Sequence, residues 1–243
     1  MDRVVFNPFS PLMLLFLFGL VILFGLAIIL FPVFFLTAVG ATFTKLGFSW
    51  REALLILGLT LIGSFVNIPV RTLESRAAPA YDRYVAIYGR LYRIPQPVHR
   101  TVLAVNVGGA LIPLVISLYL LYDSVVLTGD YLLLGLALAG VAVVTVVTKM
   151  VARPVPGLGI ATPFFIPPLA AFLAAVILSL FAGGVPGAAV IIAYVSGTLG
   201  TLIGADLLNL NRIAELGAPM ASIGGAGTFD GIFLSGVIAA LLA

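Results

Sequence analysis

The chain has no cysteine, one histidine and one tryptophan, and only 9% of its 243 residues are charged. Without cysteine there is no disulfide framework, thiol nucleophile, iron–sulfur cluster or thiolate metal site. A soluble domain carries about 25% charged residues, so 9% is too little to cover a water-facing surface. The single histidine, His99, stands in an arginine-rich stretch beside Pro97. That excludes an HExxH zinc site and a Ser–His pair inside an apolar segment. No GxSxG or GxxxxGK[ST] sequence occurs. No cofactor and no metal site is expected.

What is present is apolar. Hydrophobic residues make up 62% of the chain, and mean hydropathy is +1.26. Their runs are continuous and not alternating, which disfavours a transmembrane barrel. The composition predicts one integral membrane domain over residues 1–243, an all-α polytopic transmembrane helix bundle with the lipid bilayer as its partner. The net charge of +3 does not signal nucleic acid, because most of the basic residues lie in one segment.

A spanning helix needs roughly 20 mainly apolar residues, which gives about seven spans. They fall near 11–36, 52–70, 100–122, 131–149, 163–182, 187–210 and 217–243. The segment 71–100 holds Arg71, Arg76, Arg83, Arg90, Arg93 and Arg100 against Glu74 and Asp82. The positive-inside rule makes it cytoplasmic, with the N-terminus inside and the C-terminus outside a plasma membrane. Asp123 and Asp130 fit an outer loop, and Lys149, Arg153 and Arg212 fit inner ones; Lys45 and Arg51 are exceptions. Tyr81, Tyr84, Val85, Tyr88, Leu91 and Tyr92 share one helical stripe, predicting an amphipathic interfacial helix within the 71–99 loop.

Four clusters weaken the helices. They are Gly63, Ser64, Asn67 and Pro69; Asn106, Gly108, Gly109 and Pro113; the run PVPGLGIATPFFIPP at 154–168; and GGAG at 224–227. Irregular backbone at membrane depth survives only when buried in protein or lining a wet cavity. Broken or re-entrant segments around an internal polar cavity are therefore expected. Three glycines among Gly224, Gly225 and Gly227 make a poor helix and predict a break in the last span.

Only Asp206 and Asp230 lie clearly within apolar spans. A carboxylate there is costly and usually functional. Two neighbouring carboxylates share a proton, so the charged member activates water while the protonated one polarises a carbonyl. Asp206 and Asp230 are thus the candidate catalytic pair of an intramembrane peptide hydrolase acting on a transmembrane peptide. Asn106, Gly225 and Gly227 are its candidate substrate contacts, with glycine permitting close approach. The same groups, with Asn67, fit a small-solute or cation transporter. A third reading has the buried polar groups only locking helices together. Oligomeric state is not legible.

Two resemblances bear on this. VNVGGALIP (105–113), GIATPFFIPP (159–168), GTLGTLIGADLLNL (197–210) and SIGGAGTFDGIFLSG (222–236) resemble an uncharacterised family of prokaryotic, often archaeal, multi-span proteins known as a domain of unknown function. That family implies no activity. The placing of Asp206 on one span, and of Asp230 after Gly225-Ala226-Gly227 on the next, is similar to the GxGD intramembrane aspartyl proteases of the presenilin and signal-peptide-peptidase class. That likeness implies a catalytic dyad. The motif here is two residues longer than Gly-x-Gly-Asp, and Ala205, not tyrosine, precedes Asp206.

Overall fold

Ser10 opens the first helix, α1 (Pro11–Lys45), by accepting the Met13 N–H at 3.3 Å, with Pro11 ready-made for the first turn. This computed structural model describes residues 10–74, 84–87, 90–93, 100–127, 129–155, 159–213, 220–225 and 231–243. At 1.5 Å per residue α1 is about 52 Å long. Its N-terminal two-thirds packs on nothing among the described residues; burial starts near Phe35 and is complete at Val39, Gly40, Thr42 and Phe43.

Helix α2 (Trp50–Gly63) starts with a capping box. The Glu52 carboxylate accepts the Ser49 N–H at 2.7 Å, and Ser49 Oγ accepts the Glu52 N–H at 3.3 Å. The helix stops at Gly63, and the chain turns into strand β1 (Asn67–Glu74). A short antiparallel hairpin follows, β2 (Tyr84–Ile87) and β3 (Arg90–Arg93). Strand β4 (Arg100–Asn106) pairs antiparallel with β1, Asn67 opposite Asn106, with a bulge between Pro69 and Arg71. Pro69 donates nothing to a ladder, so β1 suits a sheet edge.

After β4 the chain makes a π-turn (Val107–Leu111) that runs into α3 (Ile112–Tyr122) and a second π-turn (Asp123–Leu127). Asp130 caps α4 (Tyr131–Val151), accepting the Leu133 N–H at 2.8 Å. The small β5–β6 hairpin (Arg153–Val155, Gly159–Ala161) leads to α5 (Ile166–Ser179), and α6 (Ala188–Thr201) follows. Helix α6 unwinds through a π-turn (Leu202–Asp206), a 3₁₀ turn (Leu207–Asn209) and the single turn α7 (Leu210–Ile213). Strand β7 (Met220–Ile223) joins β4 in parallel, and α8 (Gly231–Leu242) completes the bundle.

Helix α6 is the axis of the bundle, buried from Ile192 to Thr201. Glycines set its distances from its neighbours. A Cβ on Gly200 would lie 2.7 Å from Val144 Cγ1, and one on Gly204 would lie 2.6 Å from Thr145 O, so α4 and α6 pack backbone to backbone. These pairs advance together along both helices, so α4 and α6 run in the same direction. Thr42 reaches Val237 O and Lys45 reaches Leu241 O, so α1 and α8 also run in parallel. Gly63 abuts Gly108, while Glu52, Tyr119 and Asp123 line one crevice, so α2 and α3 are antiparallel.

The fold is mostly helical, as the composition requires, but not all-α. Among the described residues four helical stretches are long and apolar enough to cross a membrane: Pro11–Lys45, Val107–Val126, Tyr131–Val151 and Ala188–Arg212. The apolar helices are a membrane domain's signature. Span two ends at Gly63, and 67–70 is strand. Span three begins with a strand, its helical part starting at Val107. The interfacial helix expected over the tyrosine stripe is absent from its described part: Tyr84, Val85, Leu91 and Tyr92 lie in the β2–β3 hairpin. β-Branched and aromatic residues at short spacing form a hairpin as readily as a helical stripe. Within the last span, 220–223 is strand, Gly224 and Gly225 are outside any helix, and Gly231–Leu242 is helix, so that segment is not one continuous helix, as the glycines predict.

Candidate functional site

The helix-weakening clusters converge. The end of α2, the β4–α3 junction and the turn after β7 meet at one end of the bundle, beside the unwound end of α6. Asn106 is the knot. Its Nδ2 donates to Ser64 O at 2.7 Å and to Asn67 Oδ1 at 3.1 Å, while its Oδ1 accepts the Gly109 N–H at 2.8 Å. Both amide hydrogens are thereby engaged within the chain, and the carbonyl caps the helix that follows. Asn106 is 1% exposed, so these bonds satisfy a polar group that water does not reach. Ser222 Oγ donates to the same Asn67 Oδ1 at 2.5 Å, tying β7 to β1 across β4.

Asp206 is half-buried and accepts the Gly224 N–H on Oδ2 at 3.2 Å. Gly224 has φ +71°, a left-handed conformation. A Cβ there would lie 2.6 Å from Ala110 Cβ and 2.8 Å from Gly109 C. The structure thus brings Asp206, Gly224 and the Asn106–Gly109 cap into one contiguous group. Gly225 adjoins it, its N–H donating to Ser222 O at 3.2 Å. Asp230 and Gly227 lie outside the described residues, and so does the separation of the two aspartates.

The segment carrying Asp206 is held from α4. Lys149 Nζ donates to Leu208 O at 2.5 Å and to Asn209 Oδ1 at 2.6 Å. Asn209 Nδ2 donates to Gly204 O at 3.1 Å and Ala205 O at 2.8 Å. Unwinding the helix frees these carbonyls, and Asn209 and Lys149 take them up. Sequence reasoning missed this latch. The available signal was Asn209 itself, an amide within an apolar span. Ser222 was missed as well, since nothing local marks which hydroxyl faces which strand.

A carboxylate held by a backbone N–H at a helix break is positioned to take a proton from water or to bind a cation. Among the described residues no group of three or more His, Cys, Asp or Glu side chains is arranged to hold a metal ion.

A family model matches residues 61–242. The chain belongs to that family, protein of unknown function DUF1614. No curated protein and no solved structure matches the chain. The DUF1614 match includes Asn67, Asn106, Lys149, Asp206, Asn209 and Gly224, the whole group described above. It leaves out α1, the helix whose N-terminal part packs on nothing among the described residues.

Proposed function

We propose that this DUF1614 chain hydrolyses peptide bonds within the plasma membrane, with Asp206 as one catalytic carboxylate and Asp230 as the other. The observation that carries this reading is the edge of β7 that faces away from β4. Strand β7 pairs with β4 on one side only among the described residues, and it leads straight into Gly224, whose N–H holds Asp206. An exposed strand edge takes up an extended peptide through backbone hydrogen bonds. A peptide bond must leave helical structure to be attacked, and extension along β7 would carry it past Asp206. Water would lose its proton to the charged carboxylate while the protonated partner polarises the carbonyl.

The membrane arrangement belongs to the same proposal. Apart from α7, the helices alternate in direction, with α2, α5 and α8 as short passes of about 21, 21 and 18 Å. The sheet end would face the cytoplasm. It gathers Arg71, Arg100, Lys149, Arg153 and Arg212 against Glu74 and Asp206, while the opposite end has Lys45 and Arg51 against Glu52, Asp123 and Asp130. That asymmetry favours a cytoplasmic sheet and N-terminus.

The test is cleavage of a reporter with one transmembrane segment, by the purified chain in lipid vesicles. Asp206→Asn and Asp230→Asn should each abolish product, since a dyad does not work with one carboxylate. Turnover at the unmodified rate in either variant rejects the proposal.

A further inference from the structure

A groove runs between α1 and α8 on the lipid-facing side of the bundle. Its volume is about 530 Å³, and every residue that lines it is apolar. Phe31, Phe35 and Ala38 recur at i, i+4 and i+7 along α1, one face of that helix. Leu234, Ile238 and Leu241 recur in the same way along α8. Val39 and Val237, 1% and 3% exposed, make the floor. Phe34 and Phe164 stand at the rim, 69% and 53% exposed, so the groove opens outward to the bilayer. The Phe31 and Phe35 rings stack at 6.4 Å at the end away from Leu241.

The Leu241 end is charged. Lys45 Nζ donates to Leu241 O at 2.9 Å, and Leu241 is itself a wall of the groove. That bond uses one of the three ammonium N–H groups and leaves two for an anion. Glu52, on the same end of the bundle, is turned to Ser49 as the cap of α2, and with Asp123 it lines a different crevice. Lys45 is also one of the two basic residues that stand against the positive-inside rule. Capping α8 accounts for a polar side chain at this position, but not for an apolar channel leading away from it. The lengths agree as well. One leaflet of a roughly 30 Å core is about 15 Å deep, and about ten residues of helix cover that depth. Counting back that far from Lys45 along α1 reaches Phe35, where the rings begin.

We propose that this groove holds one bilayer phospholipid with an anionic head group. Its phosphate rests on the Lys45 ammonium, and an acyl chain runs between α1 and α8 down to the Phe31 and Phe35 rings. A charged contact at the interface and an apolar one below it match the two parts of that molecule. The volume falls within the range of about 300–1,000 Å³ found for small-ligand sites. A second copy of the chain is a poorer fit, because membrane helices dock through small residues and this groove presents phenylalanine and leucine. The lipid lies beside the part of α1 that packs on the bundle, so it joins that helix to α8. The proposal does not depend on peptide cleavage.

The experiment is native mass spectrometry of the full chain in detergent, with phosphatidylglycerol and phosphatidylcholine of identical acyl chains supplied at equal concentration. One phosphatidylglycerol per chain should be retained, in about fivefold preference to phosphatidylcholine, the worth of one lysine beside an anionic head group. Lys45→Gln should bring the two lipids level. Its amide still donates to Leu241 O, so the α8 cap survives and melting without lipid should be unchanged. Lys45→Arg should keep the preference. Ala38→Trp should lose the retained phosphatidylglycerol by filling the groove. Should that variant fail to fold, Ile238→Trp fills the groove from the other wall. Equal retention of the two lipids by the wild type, or an undiminished preference in Lys45→Gln or in the folded tryptophan variant, overturns the proposal. So does palmitate displacing phosphatidylglycerol at equal concentration, which would make the occupant a free fatty anion. A dimer abolished by the tryptophan variant also overturns it, since the occupant would then be a second copy.

Discussion

The Gly224 N–H and the Asp206 carboxylate meet at 3.2 Å although 18 residues separate them in the chain. The bond joins the unwound end of α6 to the turn that follows β7. It therefore links the membrane bundle to the sheet, and it fixes the one described carboxylate at the site.

Gly224→Ala tests that link. Its φ of +71° suits glycine, and a methyl group would press on Ala110 Cβ from 2.6 Å. The left-handed conformation costs alanine about 1–2 kcal/mol, and crowding of a packed site adds about 1–3 kcal/mol. Thermal unfolding in detergent should show a loss of about 2–5 kcal/mol. A melting temperature equal to wild type would mean that the turn relaxes freely and does not hold Asp206.

Asp206→Asn should leave the fold intact. Its amide oxygen still accepts the Gly224 N–H, so unfolding should shift by less than about 1 kcal/mol. Activity and stability then separate: a variant that loses cleavage because it unfolds would contradict this expectation, and circular dichroism reports it.

Asn106→Ala should act on stability first. Three hydrogen bonds go, stranding Ser64 O and the buried Gly109 N–H, while Asn67 Oδ1 keeps the Ser222 hydroxyl. Loss of the cap alone costs about 1 kcal/mol, and each stranded group adds about 1–3 kcal/mol. A loss of several kcal/mol in chemical denaturation is expected. If KM for the reporter rises while stability holds, Asn106 binds substrate and the clamp is secondary.

Lys149→Met and Asn209→Leu should be coupled. Both remove the 2.6 Å contact between Lys149 Nζ and Asn209 Oδ1. The double variant should be less destabilised than the sum of the singles by about 1–3 kcal/mol. Strict additivity in the double-mutant cycle would show that the two residues hold the broken segment independently.

A chain beginning at Phe31 should unfold like the full chain. The part of α1 that is removed buries nothing among the described residues, and the family match starts only at residue 61. The expected shift in bundle stability is below about 1 kcal/mol. A larger loss, measured by thermal melting in detergent, would place an undescribed contact on that helix.

Much of this was legible in the residues. The scarcity of charge and the long apolar runs dictate a helical membrane domain, because lipid offers a backbone no hydrogen bonds and a helix satisfies its own. The glycines from Gly224 onward announced a break, since each lacks helical preference whatever its neighbours. Asp206 announced itself as a polar group where none is cheap. Strand pairing was a different matter. Asn67 meets Asn106, and Met220–Ile223 lies beside Val102–Val105, through ladders closed over long stretches of chain. No local period reports such partners, and an apolar run of eight residues reads equally as strand or buried helix. Which end of α6 the sheet covers, why Asn209 turns back to Gly204 and Ala205, and how the Thr201 hydroxyl comes to meet Ser235 were decided by packing alone. Each requires two segments distant in sequence to come within a few ångströms, and only the assembled tertiary structure imposes that.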